Sequence, residues 1–217
     1  MTEPLVTDPD RVASAAPEVF ARVWRTSLGQ PGFAVLRFAR DVGSHELRRA
    51  MVDLVEAFPI AFVPERFGRF DQQVSSKFHR DGAPPASLLV LGYEPTRVRS
   101  RFWVADGSAA AFRAGLALGA YLKAHNPMVP AGEAALAPFV TELNLPHGEA
   151  FVIVVNNSQL PHEDGNPLGL LHKAVIESPD PNGTRVINSV GFTPRADGAT
   201  GLPGADRTHF LTRADLD

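Results

Sequence analysis

"SSKFHRDGAPPASLLVLGY", residues 75–93, sets a histidine and an aspartate one residue apart, just ahead of an apolar run. In a strand, side chains at i and i+2 share a face. Read as a strand end, a turn and a second strand, the stretch points His79 and Asp81 the same way, toward one ion. A histidine nitrogen and a carboxylate oxygen together suit a divalent transition metal. The plain alternative is a turn in which Asp81 caps local backbone amides. The choice depends on whether the rest of the chain supplies a third ligand and an anchor for a ligand.

Around this stretch the pattern is of short strands. Runs of β type occur at 69–79, 86–93, 97–106, 137–145, 149–158, 169–177 and 184–194, punctuated by Gly, Pro and Asn. Ahead of them, 17–32 carries apolar residues at Val19, Phe20, Val23 and Trp24, a helical spacing that stops at Gly29 and Pro31. Residues 32–38, "GFAVLRF", read as a strand. Residues 44–58 read as a helix with Ser44 as its N-cap and Leu47, Met51, Leu54, Val55 and Phe58 on one face. One further helix is predicted over 109–126. Helices followed by many strands predict an α+β fold: a jelly-roll-like β core with N-terminal helices packed on one side. The chain reads as a single domain over 1–217. Within it, 1–17 is a loosely held arm, 18–58 holds the N-terminal helices and first strand, and 69–194 is the β core.

Composition narrows the function. Of 217 residues, 44% are hydrophobic and 21% charged, the balance of a folded globular chain. The net charge of −3 argues against a nucleic-acid binder, which needs a basic patch. Without cysteine, the chain has no disulfide, zinc–thiolate site, iron–sulfur cluster or thiol nucleophile. The polar, acidic N-terminus does not read as a secretory signal, and no apolar run approaches the ~20 residues of a spanning helix. The expectation is a cytoplasmic protein acting on a small molecule, with monomer and homodimer both open.

Two histidines compete as third ligand. His172 lies inside the strand-like run "GLLHKAVI", where its direction is fixed; His162 lies in the Pro-, Asp- and Gly-rich loop "NNSQLPHEDG". His172 is favoured on that ground. Thirteen residues on, Arg185 opens the apolar strand "RVINSVGF". A buried arginine at a strand start is costly unless it meets an anion, and its fork matches a carboxylate. The loop "SPDPNG" lets that strand double back beside the His172 strand.

H-x-D, a distant His in "LLHKAV" and an Arg thirteen residues later together resemble the iron(II)/2-oxoglutarate-dependent oxygenases. "GFAVLRF" is similar to that family's opening strand, and "FHRDG" to the matching segment of small bacterial members that hydroxylate free amino acids. The resemblance implies a double-stranded β-helix. It implies His79, Asp81 and His172 as Fe(II) ligands and Arg185 as the partner of the distal carboxylate of 2-oxoglutarate. It implies O2 as co-substrate, succinate and CO2 as products, and hydroxylation of a small polar molecule, amino-acid-like or another small acid. Related halogenases carry a small residue at the carboxylate position, so Asp81 argues against halogenation. Ile187 stands where many members have a serine helping to hold the carboxylate; Ser189 is on the same face, two pleats further.

The period-2 rule adds neighbours. If His79 faces inward, so do Lys77, Ser75 and Gln73, within reach of 2-oxoglutarate or substrate. Arg97, Arg99, Arg101 and Trp103 share a face, which is either a solvated sheet surface or a cavity wall for an anionic substrate. Asn156, Asn157 and Gln159 precede the His172 strand and are candidate substrate or lid residues. Two other classes stay open: a cupin-like metal enzyme without 2-oxoglutarate, and a non-catalytic β-sandwich binding module.

Overall fold

In the computed structural model of the chain, residues 3–82, 84–195 and 204–217 are described. Among the described residues, nine strands form two sheets. The larger is built from β1 (Leu5–Thr7), β2 (Phe33–Phe38), β3 (Phe62–Asp71), β4 (Leu88–Tyr93), β7 (Phe151–Asn156) and β9 (Val186–Pro194), in the order β1-β2-β7-β4-β9-β3. The smaller has the order β6-β5-β8, from β5 (Arg99–Ala105), β6 (Val140–Leu143) and β8 (Leu171–Ser178). All pairings are antiparallel except β1 with β2.

Strand alternation sorts the side chains into two cores. Phe33, Val35, Leu89, Leu91, Tyr93, Phe151 and Ile153 of the large sheet meet Phe102, Val104, Leu143 and Ala174 of the small one. The opposite face of the large sheet, with Ala34, Leu36, Leu88, Val90, Val152 and Val154, is buried with residues of α1 (Val12–Val23) and α2 (Ser44–Glu56). Each such aliphatic or aromatic side chain taken from water contributes about 1.5–3 kcal/mol before the cost of ordering it. The outer face of the small sheet is covered by α3 (Gly107–Arg113), α4 (Leu118–Ala124) and α5 (Pro130–Leu136). The last element is α6 (Gly204–Thr212).

Several local expectations change. The segment read as a loose arm is built in: Leu5–Thr7 pairs with β2, and Val12 and Ala16 are buried under α2 and the sheet. Asp8 accepts from the Asp10 amide ahead of Pro9, which starts the chain into α1. Residues 109–126 form two helices rather than one, because Gly115 at φ +67° ends α3. Ser44 is the first residue of α2, not its cap. Its hydroxyl donates to Glu94 (2.6 Å) and accepts from the buried Arg48 (2.8 Å).

The run 69–79 is not one strand either. β3 ends at Asp71, and residues 72–79 cross to the free edge of β8. There Ser75 and Ser76 accept from the Ile176 and Ala174 amides through their hydroxyls (2.9 and 3.0 Å). Side-chain oxygens replace backbone carbonyls, so the ladder is irregular. A regular contact returns at the end: His79 and His172 exchange both backbone hydrogen bonds, at 3.0 and 2.8 Å.

Gly169 sets the start of β8. A Cβ there would fall on the Ser158 backbone carbonyl. Gly169→Ala is therefore expected to lose about 1–3 kcal/mol through overpacking, read as a lowered urea midpoint with an unchanged m-value.

Candidate metal centre and anion anchor

The reciprocal hydrogen bonds between His79 and His172 put both side chains on one face, with ring centroids 4.2 Å apart. Asp81, two residues beyond His79, turns its carboxylate to both rings. Its Oδ1 lies 3.4 Å from His79 Nε2 and 4.0 Å from His172 Nε2. Two donors bound to one ion at about 2.1 Å cannot be more than ~4.2 Å apart. Both contacts meet that limit, and ligand atoms of all three residues lie within 4.8 Å of one another. Nitrogen, nitrogen and carboxylate oxygen on one side leave the remaining positions of an octahedral ion open, the pattern suited to non-haem iron(II).

The surroundings set the orientation and charge of the three side chains. His79 Nδ1 donates to the Lys77 carbonyl at 2.7 Å, which fixes the ring with Nε2 as the nitrogen facing Asp81. His172 is buried, and its ring lies parallel to that of Phe102 at 5.8 Å. Burial, then the neighbouring His79, pushes its pKa down to about 4, so the ring is neutral at neutral pH. The hydrogen bond to Asp81 raises the pKa of His79 against the effect of its burial. For Asp81, burial acts upward. The His79 hydrogen bond and the charges of His172, His79 and Arg66 outweigh it and hold the carboxyl below its usual range. Arg66 Nη2 reaches Asp81 Oδ2 at 3.2 Å, and Asn157 Nδ2 donates to the Asp81 carbonyl at 3.2 Å.

Arg185 lies at the other end of the space between the sheets. Its side chain is buried among Tyr93, Ser100 and Gln72. Nε donates to Ser100 Oγ (3.0 Å), Nη1 to Gln72 Oε1 (2.8 Å), and the guanidinium sits 4.9 Å from the Tyr93 ring centre. Nη2 is buried and has no partner. A guanidinium whose side-chain partners are neutral and that keeps a spare donor has the chemistry to take an anion. Tyr93 feels the same setting: burial raises its pKa, and Arg185 partly offsets that. The register sets the spacing. Val104 faces His172 and Ser100 faces Ile176, so Arg185 is anchored four residues along β8 from His172, roughly 13 Å of strand.

The other sequence candidates fall in varied places. Ser189 is buried on the face of β9 that carries Ile187 and Arg185, opposite Leu91. Lys77 is exposed, and its carbonyl rather than its side chain meets His79. Gln73 Nε2 donates to the Gly183 carbonyl (2.6 Å) and so holds the loop before Arg185. Ser75 bonds the edge of β8. Arg101 is on the outer face of the small sheet, paired with Glu142 and stacked on Trp103. Asn157 is buried beside Asp81. Asn156 donates to the Val23 carbonyl (3.0 Å). His162 lies exposed in its loop against Phe112, with ring centres 4.9 Å apart.

Four neighbours were not read from the sequence: Arg66, Gln72, Tyr93 and Ser100. Tyr93 had a signal, since Leu89, Leu91 and Tyr93 continue one face of "LLVLGY". Gln72 and Ser100 had none, because their nearness to Arg185 is set by the packing of three separate segments.

No protein-family model and no curated protein matches the chain. Solved structures do. AAD-2 in complex with Mn(II) and N-oxalylglycine is 11% identical, covers 90% of this chain and 96% of its own, and superposes with a TM-score of 0.48. Asparagine oxygenase in complex with Fe(II), 3-hydroxyasparagine and succinate is 12% identical, covering 86% of this chain and 78% of its own, with a TM-score of 0.44. The Kdo hydroxylase KdoO, a non-haem Fe(II) α-ketoglutarate-dependent dioxygenase, is 12% identical over 89% of this chain and 90% of its own, with a TM-score of 0.39.

Proposed function

We propose that this protein is an iron(II)- and 2-oxoglutarate-dependent oxygenase that hydroxylates a small polar molecule. One observation carries the reading. An open-sided His79–Asp81–His172 cluster shares the space between two sheets with a buried arginine whose Nη2 has no partner. In this reading the two sheets, with residues 72–79 added at the edge of β8, make a double-stranded β-helix. His79, Asp81 and His172 hold the iron. Arg185 takes the distal carboxylate of 2-oxoglutarate on its free fork, steadied by Ser100 and Gln72, with Ser189 further along the same face. Phe102 and Ala174 keep water away between the two ends. When bound, iron and 2-oxoglutarate supply the oxidative chemistry: the cosubstrate and O2 become succinate and CO2, and one oxygen atom enters a substrate C–H bond. A metal enzyme that does not use 2-oxoglutarate leaves the Arg185 donor without a role.

The test is turnover under 18O2 with iron(II), 2-oxoglutarate and a panel of small acids and amino acids. The expected result is iron-dependent succinate carrying one label, with one label in the hydroxylated product. Iron binding with no 2-oxoglutarate consumption under any condition overturns the reading.

A further inference from the structure

A cavity of about 240 Å3 opens on the Asp81 side of the cluster. It is smaller than the roughly 300–1,000 Å3 typical of drug-sized ligand sites, so it suits a small molecule. Its charged wall comes from an irregularity in β3. The pairing of β3 with β9 slips between Pro64 and Arg66, so Glu65 is an extra residue at a bulge. Bulges re-aim side chains that would otherwise alternate between faces. Here the result is that consecutive residues of opposite charge, Glu65 and Arg66, both line the cavity. The other charged group on its wall is Asp81.

Asn157 supplies a further clue. Its Nδ2 is committed as a donor to the Asp81 carbonyl and the Ser87 hydroxyl, which fixes the orientation of the amide. Its Oδ1 is left buried with no partner, on a residue that lines the cavity. A buried acceptor without a donor costs free energy, which a ligand N–H recovers.

With Asp81 assigned to the metal, the remaining wall offers one guanidinium, one carboxylate and one orphan amide oxygen. That set complements a molecule with both charges and not a simple acid or amine. We infer that the cavity takes a small zwitterion of the α-amino-acid class. Its carboxylate pairs with Arg66, and its ammonium is shared by Glu65 and Asn157 Oδ1. Glu65 is oriented by the Thr193 hydroxyl, which donates to it at 2.6 Å. Arg66 is already held at the cavity by its contact with Asp81. This inference rests on the proposed function, because it assigns Asp81 to the metal.

The test uses the whole chain loaded with Mn(II) and 2-oxoglutarate in the absence of O2, titrated calorimetrically. The probes are the twenty protein L-amino acids and, for the tightest, its decarboxylated amine and its deaminated acid. The expected result is that one or more amino acids bind and that both single-charge analogues bind about ten- to hundredfold more weakly. Arg66→Gln abolishes the preference over the amine, and Glu65→Gln abolishes the preference over the deaminated acid. Both residues are exposed, so neither substitution removes core packing. An amino acid that binds no better than its analogues, or preferences unchanged in both variants, overturns the inference. Mn(II) binding is followed in the same samples by electron paramagnetic resonance. Loss of discrimination with Mn(II) and 2-oxoglutarate bound removes this inference alone; failure to bind Mn(II) removes the proposed function with it.

Discussion

His172→Ala is expected to bind no stoichiometric iron(II). Partners that merely orient a metal ligand are worth about 10–100-fold in affinity, so deleting a ligand itself costs at least about 100-fold. His172 is buried at the end of β8, and the described residues bring one further histidine, His79, to the cluster. The substitution also empties space against Phe102, so the fold must be checked by circular dichroism and a urea midpoint. His79→Ala is expected to do the same with less strain, since His79 is partly exposed. His162→Ala is the control. It is expected to bind iron as the parent protein does, because that ring packs on Phe112. Anaerobic iron(II) titration with a chelator competition reads all three. Iron loss in His162→Ala together with full binding in His172→Ala would refute the ligand set.

Arg185→Ala is expected to weaken 2-oxoglutarate binding while leaving the metal in place. Truncating one partner of a desolvated charged pair costs about 2–5 kcal/mol, roughly thirty- to several-thousand-fold in affinity. The effect is measured by anaerobic titration of the iron-loaded protein with 2-oxoglutarate, following the visible absorption of the chelate. Arg185→Lys is expected to recover part of it. Lysine keeps the charge but cannot donate to Ser100, Gln72 and a carboxylate from one planar group. In the free protein Arg185→Ala also releases Gln72 and Ser100 and bares the Tyr93 ring, so some stability is lost as well. Unchanged 2-oxoglutarate affinity in a folded Arg185→Ala protein removes Arg185 from the site.

Much of the local structure was legible because period carries it. Apolar runs such as "FAVLRF" and "LLVLGY" have the spacing of buried strands, and α2 has the spacing of an amphipathic helix. What failed locally failed for local reasons that residue type does not announce. Gly115 ends a helix inside an alanine-rich run, and two serine hydroxyls replace ladder carbonyls along 72–79. Arg101 alternates correctly in sequence, yet alternation cannot say which face is the inner one; the side of the small sheet carrying Arg101 and Trp103 meets solvent and α3–α5.

By itself, the sequence determined the donors: a histidine and a carboxylate two residues apart, a histidine in a strand, and an arginine where a strand starts. Those are properties of residue type and period, and they travel with a short segment. The tertiary structure decided which of them meet. His79 faces His172 because an irregular crossing segment docks on the edge of β8 with one reciprocal pair of backbone bonds, a register set by packing across 93 residues. Arg185 keeps a spare donor because Gln72 and Ser100, from two other segments, satisfy only part of its fork. Glu65 and Arg66 share a wall because β3 slips against β9. Each of these depends on contacts between distant segments, whose free energy is realised only when the whole core closes.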